Sequence, residues 1–434
     1  MALGALELGG LGALGLVVLG LLGVRIAYAA GLVGIVGLVA MLGLDAGIRT
    51  AGTVPYGKGT AYTLSVLPMF ILLGYLAQCA GVSRAAFEAS RRWFGRLPGG
   101  LATATVLAVA AFGAVCGSSA AAAAVFSRIA IPEMLKDGYT KSLAGGSVAA
   151  GSVLDSIIPP STLLVVYAII TEQSVADLLV AGFIPGVLTA ITYGIIITIL
   201  AIRNPEIAPR LRRYSWRERA QSVPGVLPIV MIVATIFTAM FYGWATPTEA
   251  GALAAFFMLI LSLLNRSSLR ALRAAFMETA KLTVVVFTIV WSIMIFVLFL
   301  GYANLPAFIS DWVKNLDVSP TVVLLFVYAL FIVLGMFIDA LGIMLLTLPI
   351  VFPLVVGLGY DPVWFGVIVA KLCAIGLLTP PFGLCCFIVS SAHPEISVQT
   401  VFRGVMPFIA ADIVLVCVLT AFPEIITTVV HLAR

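Results

Sequence analysis

The chain has 434 residues, 62% of them apolar and only 10% charged, with a mean hydropathy of +1.18. No soluble domain can hide that much apolar surface, so lipid must be the solvent for much of it. The net charge of +5 says little until the charges are placed. Cys79, Cys116, Cys373, Cys385, Cys386 and Cys417 have neither metal-ligand nor disulfide spacing and read as small core residues.

In chain order, the start from Met1 to Glu7 lacks a basic n-region, so the first apolar segment is expected to stay as a helix. Runs long enough to span fall at about 5–23, 26–44, 61–80, 143–170, 178–202, 222–243, 248–264, 280–300, 363–391 and 404–422. Two further stretches, 101–135 and 320–356, are too long for one helix and too short for two spans and a loop. Each has small or polar residues in its middle, Gly117-Ser118-Ser119 in the first and Gly335 to Asp339 in the second. Both are predicted to be re-entrant hairpins, whose tips are tolerated only where protein buries them or a wet cavity lies beside them. Segments 83–97 and 266–280 alternate basic and apolar faces at helical spacing and read as interfacial helices. Surface anchors and arms linking a moving part to a fixed one remain open for both.

The same punctuation occurs twice. Pro132, Gly138 and Pro159 are answered by Pro353, Gly359 and Pro380, with 353−132 = 359−138 = 380−159 = 221. Shifting the first three runs by the same offset lands on 226–244, 247–265 and 282–301, which are apolar as well. Two repeats are therefore expected, 1–213 and 222–434, with scaffold helices at 5–44 and 222–264. An odd number of crossings per half would turn the second upside down relative to the first. Placing 84–96, 136–141, 203–219, 265–281, 393–403 and Arg25 in the cytoplasm puts 18 of the 24 Lys and Arg there, with both termini periplasmic. The Arg-rich connector at 203–219 then fixes topology, and no nucleic-acid partner is expected.

Pro159-Pro160 and Pro380-Pro381 must each interrupt a helix, freeing carbonyls on one side and N–H groups on the other. Ser161 and Thr162 follow the first break, Thr379 sits at the second, and the offset pairs Ser118 with Asp339 at the hairpin tips (339−118 = 221). Two symmetric cation sites are predicted, and hard oxygen donors make sodium the natural ion. Asp155 stands where the second repeat has Gly376, and three roles are open to it: cation ligand, proton carrier or helix cap. Lys371 lies inside an apolar segment, where attracting an anionic substrate, pairing with an acid and snorkelling are all open to it. Ser119, Ser161, Thr162, Thr379 and Lys371 are the candidate substrate contacts. The only histidines, His393 and His431, sit near segment ends, and no Gly-rich phosphate loop is present, so an enzyme is not expected.

Several stretches together resemble the large membrane subunit of TRAP (tripartite ATP-independent periplasmic) transporters. They are Leu67-Pro-Met-Phe-Ile-Leu-Leu-Gly74, Phe112-Gly-Ala-Val-Cys-Gly-Ser-Ser119, Ile131-Pro-Glu-Met-Leu-Lys-Asp-Gly-Tyr139 and Ile157-Ile-Pro-Pro-Ser161 in the first half. Ala181-Gly-Phe-Ile-Pro-Gly186, Thr246-Pro-Thr-Glu-Ala250, Gly335-Met-Phe-Ile-Asp339 and Gly376-Leu-Leu-Thr-Pro-Pro-Phe-Gly383 follow in family order. The resemblance implies an all-α inner-membrane permease of bacteria or archaea, with about ten spanning helices, two re-entrant hairpins and two broken helices. It implies an elevator driven by sodium, with no other cofactor. The implied partners are a small membrane subunit and a periplasmic binding protein that delivers an organic acid. Its sodium sites carry over to Gly117, Ser118, Ser119, Ile158 and Ser161, and to Gly335, Asp339, Gly376, Thr379 and Phe382. Asp155 departs from the family pattern, which has a small residue there, and is placed with the first site. A self-sufficient permease of the divalent-anion symporter type and a membrane-embedded enzyme are the competing readings.

Overall fold

The computed structural model describes residues 4–59, 62–209, 214–315 and 318–432, and among these the regular structure is helical throughout. Arg210, Arg212 and Arg213 of the connector, and Arg434, lie outside the described residues. The first half begins with α1 (Ala5–Leu21), α2 (Ile26–Leu42), α3 (Leu44–Gly59) and α4 (Val66–Cys79). Gly81, at φ +74, ends α4, and α5 (Val82–Phe94) leaves at 69° to it. Next come α6 (Gly100–Cys116), α7 (Ser119–Lys136), α8 (Lys141–Ser152), α9 (Thr162–Thr171) and α10 (Val175–Arg203). The short α11 (Trp216–Ala220) leads into α12 (Val223–Phe241), α13 (Pro247–Leu264), α14 (Leu269–Tyr302) and α15 (Leu305–Lys314). The second half closes with α16 (Pro320–Gly335), α17 (Ala340–Gly357), α18 (Pro362–Leu378), α19 (Leu384–Ala392), α20 (Val398–Ala421) and α21 (Glu424–Leu432).

The 221-residue spacing recurs in folded elements. The bounds of α7 and α17 differ by it at both ends (340−119 = 357−136 = 221). Their caps correspond too: Ser118 and Asp339 each accept from a backbone N–H three residues on. The same holds one element later, where Thr140 caps α8 and Asp361 caps α18 (361−140 = 221). Such side chains satisfy the orphan donors of a helix start, which inside a membrane have no water to turn to.

Among the described residues, six helices are long and apolar enough to cross a membrane alone, seven if α4 and α5 count as one bent span. The two broken runs expected from sequence are divided into α8 and α9, and into α18 and α19, none of which is long and apolar enough to cross alone. α1 and α2 have 17 residues each, about 26 Å at 1.5 Å per residue, a little short of a typical ~30 Å hydrocarbon core. α17, an arm of the second hairpin, is among the six.

Several stretches differ from the sequence reading. Segment 266–280 does not form a separate interfacial helix; it is the first part of the 34-residue α14, which runs on through 280–300. No proline or glycine lies between Leu269 and Leu300 to end the helix, whereas Gly81 does so after α4. Helices α3 and α15 were not anticipated at all. α3 contains Pro55 and three charged residues and lacks an apolar run, so it reads as a loop.

Packing gathers most of the helices into two groups, which meet directly where α4 packs on α6. α1, α2, α4, α13 and α14 pack on one another, with α12 against α13. The hairpin α6–α7, the hairpin α16–α17, the broken helices and α10 and α20 form the other. α5 lies between them, touching α6 and α12, and α15 likewise touches α17 and α14. Arg91 on α5 reaches Glu133 at 2.9 Å and Asp137 at 3.1 Å, fastening this helix to the far end of α7.

Candidate functional site

The first break follows a 3-10 turn at Val153–Ser156, and the second follows Thr379 directly. The peptide bonds Pro159-Pro160 and Pro380-Pro381 are both cis. Ser161 bridges the first break: its hydroxyl donates to the Ser156 carbonyl at 2.6 Å and accepts from Leu164 N at 3.4 Å. It therefore caps α9, so the cap role left open for Asp155 belongs to Ser161.

Asp155 is 4% exposed and accepts a hydrogen bond from the Ser119 hydroxyl at 2.5 Å. That bond ties the broken helix to the first residue of α7. Gly113 on α6 backs the same carboxylate, since a Cβ there would lie 3.0 Å from Asp155 Cβ. At the tip itself, Gly117 has φ +62, and a Cβ on it would come within 2.5 Å of Thr162 Oγ1. Glycine is required there twice over, for its backbone conformation and for the close approach. Ile158 packs on α10, where a Cβ on Gly186 would meet its Cγ1 at 2.6 Å. The structure thus brings Gly117 to Thr162 and Ser119 to Asp155 at one hairpin tip.

At the second tip Gly335 and Gly376 touch backbone to backbone. Phe337 of the tip and Phe382 after the break have ring centroids 5.5 Å apart, and Phe382 is 55% exposed. Asp339 and Thr379 turn to their own helices: Asp339 caps α17, and Thr379 donates to the Ile375 carbonyl at 2.7 Å. Asp339 also lines a cavity of about 500 Å³ with Arg25, Tyr28 and Thr288.

Ser118, Ser119 and Asp155 at the first tip and Asp339 and Thr379 at the second supply oxygen donors. Such hard oxygen donors suit an alkali or alkaline-earth cation better than a transition metal. Among the described residues no cluster of three His, Cys, Asp or Glu side chains is placed to hold a metal ion.

Of the three roles left open for Lys371, pairing with an acid is the one the structure shows. Its side chain is 1% exposed, and its ammonium donates to Asp412 at 2.5 Å and to Thr189 at 3.1 Å. Tyr193 donates to the other Asp412 oxygen at 2.6 Å. The cation is held between α10, α18 and α20 by the Asp412 carboxylate and the Thr189 hydroxyl. Of the five candidate substrate residues, Thr162 lines a small space of about 150 Å³ at the first tip. Tyr75 and Gln78 of α4 line it as well. Sequence reasoning missed both because they sit inside a run that reads simply as a span; their polarity within it was the available signal.

The model of the DctM component of the tripartite ATP-independent periplasmic transporter matches residues 13–425. The chain belongs to this family. It is a large TRAP permease subunit, a multi-pass inner-membrane transport protein and not an enzyme. The C4-dicarboxylate TRAP transporter large permease DctM of Pseudomonas aeruginosa is 34% identical over 368 residues, covering 84% of this chain and 85% of that one. The sialic acid TRAP large permease SiaM of Vibrio cholerae is 30% identical over 87% of this chain and 88% of its own. Among solved structures, the YdaH transporter of Alcanivorax borkumensis shares the fold with this permease at a TM-score of 0.62 and 16% identity. It covers 88% of this chain and 89% of its own.

Proposed function

We propose that this permease imports an organic anion by sodium symport, with the two tips as the cation sites. Gly117, Ser118, Ser119, Asp155, Ile158 and Ser161 form the first, and Gly335, Asp339, Gly376, Thr379 and Phe382 the second. One observation carries the reading: a capped hairpin tip meets an interrupted helix twice, 221 residues apart, through glycine contacts at both places. Helix ends facing one another across a break present carbonyls to a cation and N–H groups to an anion without any backbone group being left to lipid.

A periplasmic binding protein delivers the anion, and a small membrane subunit completes the fixed part. The relatives named for C4-dicarboxylate and sialic acid support a carboxylate cargo. The two halves have inverted topology, and the hairpins and broken helices slide as one unit against α1, α2, α12 and α13.

Reconstitution in proteoliposomes with the small subunit and binding protein tests this. Uptake should require an inward sodium gradient and fail in choline chloride. Full uptake by this chain alone would favour the self-sufficient permease instead. Uptake indifferent to sodium would remove the coupling ion.

A further inference from the structure

The small cavity at the first tip has unusual chemistry for its place in the fold. Gly74 sets α4 against the hairpin, since a Cβ there would lie 2.6 Å from the Cys116 carbonyl. The next residue, Tyr75, and Gln78 one turn on therefore face the tip and line the cavity with Gly117, Ser118 and Thr162. The Gln78 amide donates only to the Cys116 thiol, at 3.4 Å, a weak acceptor. The hydroxyls of Tyr75 and Thr162 have no hydrogen-bond partner among the described residues. A phenol, an amide and an alcohol thus surround one space with their hydrogen-bonding capacity almost unused. These half-buried groups face one protein-lined space, which suits a ligand rich in acceptors.

The size limits that ligand. About 150 Å³ holds roughly five waters at ~30 Å³ each, enough for a carboxylate and a short carbon skeleton. No lysine or arginine lines the space. An anion there needs its counter-charge from elsewhere, and Gly117 and Ser118 belong also to the first proposed cation site. Cation and anion would then each raise the other's affinity by the same factor.

We propose that Tyr75 and Gln78 of α4 are substrate-binding residues that hold a carboxylate in this cavity against the cation-loaded tip. The proposal deepens the symport reading and rests on it for the counter-charge. It also places part of substrate recognition on α4, which packs with the fixed group. Loss of contact with Tyr75 and Gln78 would accompany any movement of the tip along α4.

The test is thermal stability of the purified complex with its small subunit, first in sodium chloride against choline chloride. Acetate, pyruvate, succinate and malate are then titrated as probes, as sodium salts in sodium chloride and as choline salts in choline chloride. At least one carboxylate should raise Tm in sodium and not in choline. Tyr75→Phe and Gln78→Leu should each weaken that anion's apparent Kd tenfold or more and leave the sodium-only shift intact. Should Gln78→Leu fail to fold, Tyr75→Phe alone decides. Unchanged anion affinity in Tyr75→Phe, or no stabilising carboxylate in the set, overturns the proposal. A carboxylate shift that persists in choline and is lost in Tyr75→Phe would keep the site and remove the sodium reading. Loss of the sodium-only shift in either variant would show general disruption of the tip and count against a substrate role.

Discussion

Gly335 and Gly376 meet with no side chain between them: a Cβ on Gly376 would lie 2.5 Å from Gly335 Cα. The matching place in the first half is filled differently, because Asp155 stands where Gly376 would repeat (376−155 = 221) and Gly113 makes room for it. The two tips thus share a plan and each carries one carboxylate, from the broken helix at the first (Asp155) and from the hairpin at the second (Asp339). Gly376→Ala should force the second hairpin off α18, at about 1–3 kcal/mol for overpacking. Tm should fall and transport should fail more severely than Tm predicts. Wild-type uptake by Gly376→Ala would show that the contact is incidental.

The buried Lys371–Asp412 pair makes a prediction of another kind. Lys371→Met leaves Asp412 as an uncompensated charge 1% exposed, which costs about 3–5 kcal/mol. The double variant Lys371→Met/Asp412→Leu removes both charges and should recover most of that stability. A double-mutant cycle on Tm reads the coupling, and additive losses would mean that the two side chains do not depend on each other.

How much was legible follows from where each signal sits. The tips and breaks were visible because glycine, proline and serine interrupt apolar runs, and a repeat at 221 residues made them mutually supporting. Lys371 and Asp412 appear as separate intramembrane charges, since they lie 41 residues apart on α18 and α20 and only packing joins them. Gln78 likewise meets Cys116 across 38 residues. α3 and α15 stayed hidden because neither carries a spanning apolar run. The length of α14 was misjudged for a related reason: its basic start differs from its apolar remainder in composition, while the backbone continues unbroken.

Sidedness has a direct check. The charge distribution places Ser174, the exposed cap of α10, outside and Arg270, near the start of α14, inside. In a cysteine-free background, Ser174→Cys should react with an impermeant maleimide in intact cells, and Arg270→Cys only after lysis. Labelling of Arg270→Cys from outside would contradict the inverted-repeat topology.

Coupling can be read at the second break. Thr379→Val removes one hydroxyl, which now donates to the Ile375 carbonyl at 2.7 Å, and keeps the side-chain volume. Net loss of such a bond costs roughly 0.5–1.5 kcal/mol, so the protein should fold. Half-maximal sodium for uptake should rise several-fold with the anion's KM at saturating sodium little changed. An unaltered sodium dependence would take Thr379 out of the site.

Motion separates an elevator from a local gate. Ser118 now lies beside Gln78 of α4, and Asp339 beside Thr288 of α14, each pair lining one cavity. The two tips belong to different hairpins, yet both pack with the same group of helices. If that group slides as a body, spin labels on the pairs 78–118 and 288–339 should change separation together between sodium-loaded and sodium-free conditions. The shift should be on the order of one helical turn, 5.4 Å, or more. A gate confined to one hairpin would alter one distance and leave the other fixed. That result would exclude the sliding unit, and alternating access would then have to come from opening a single tip.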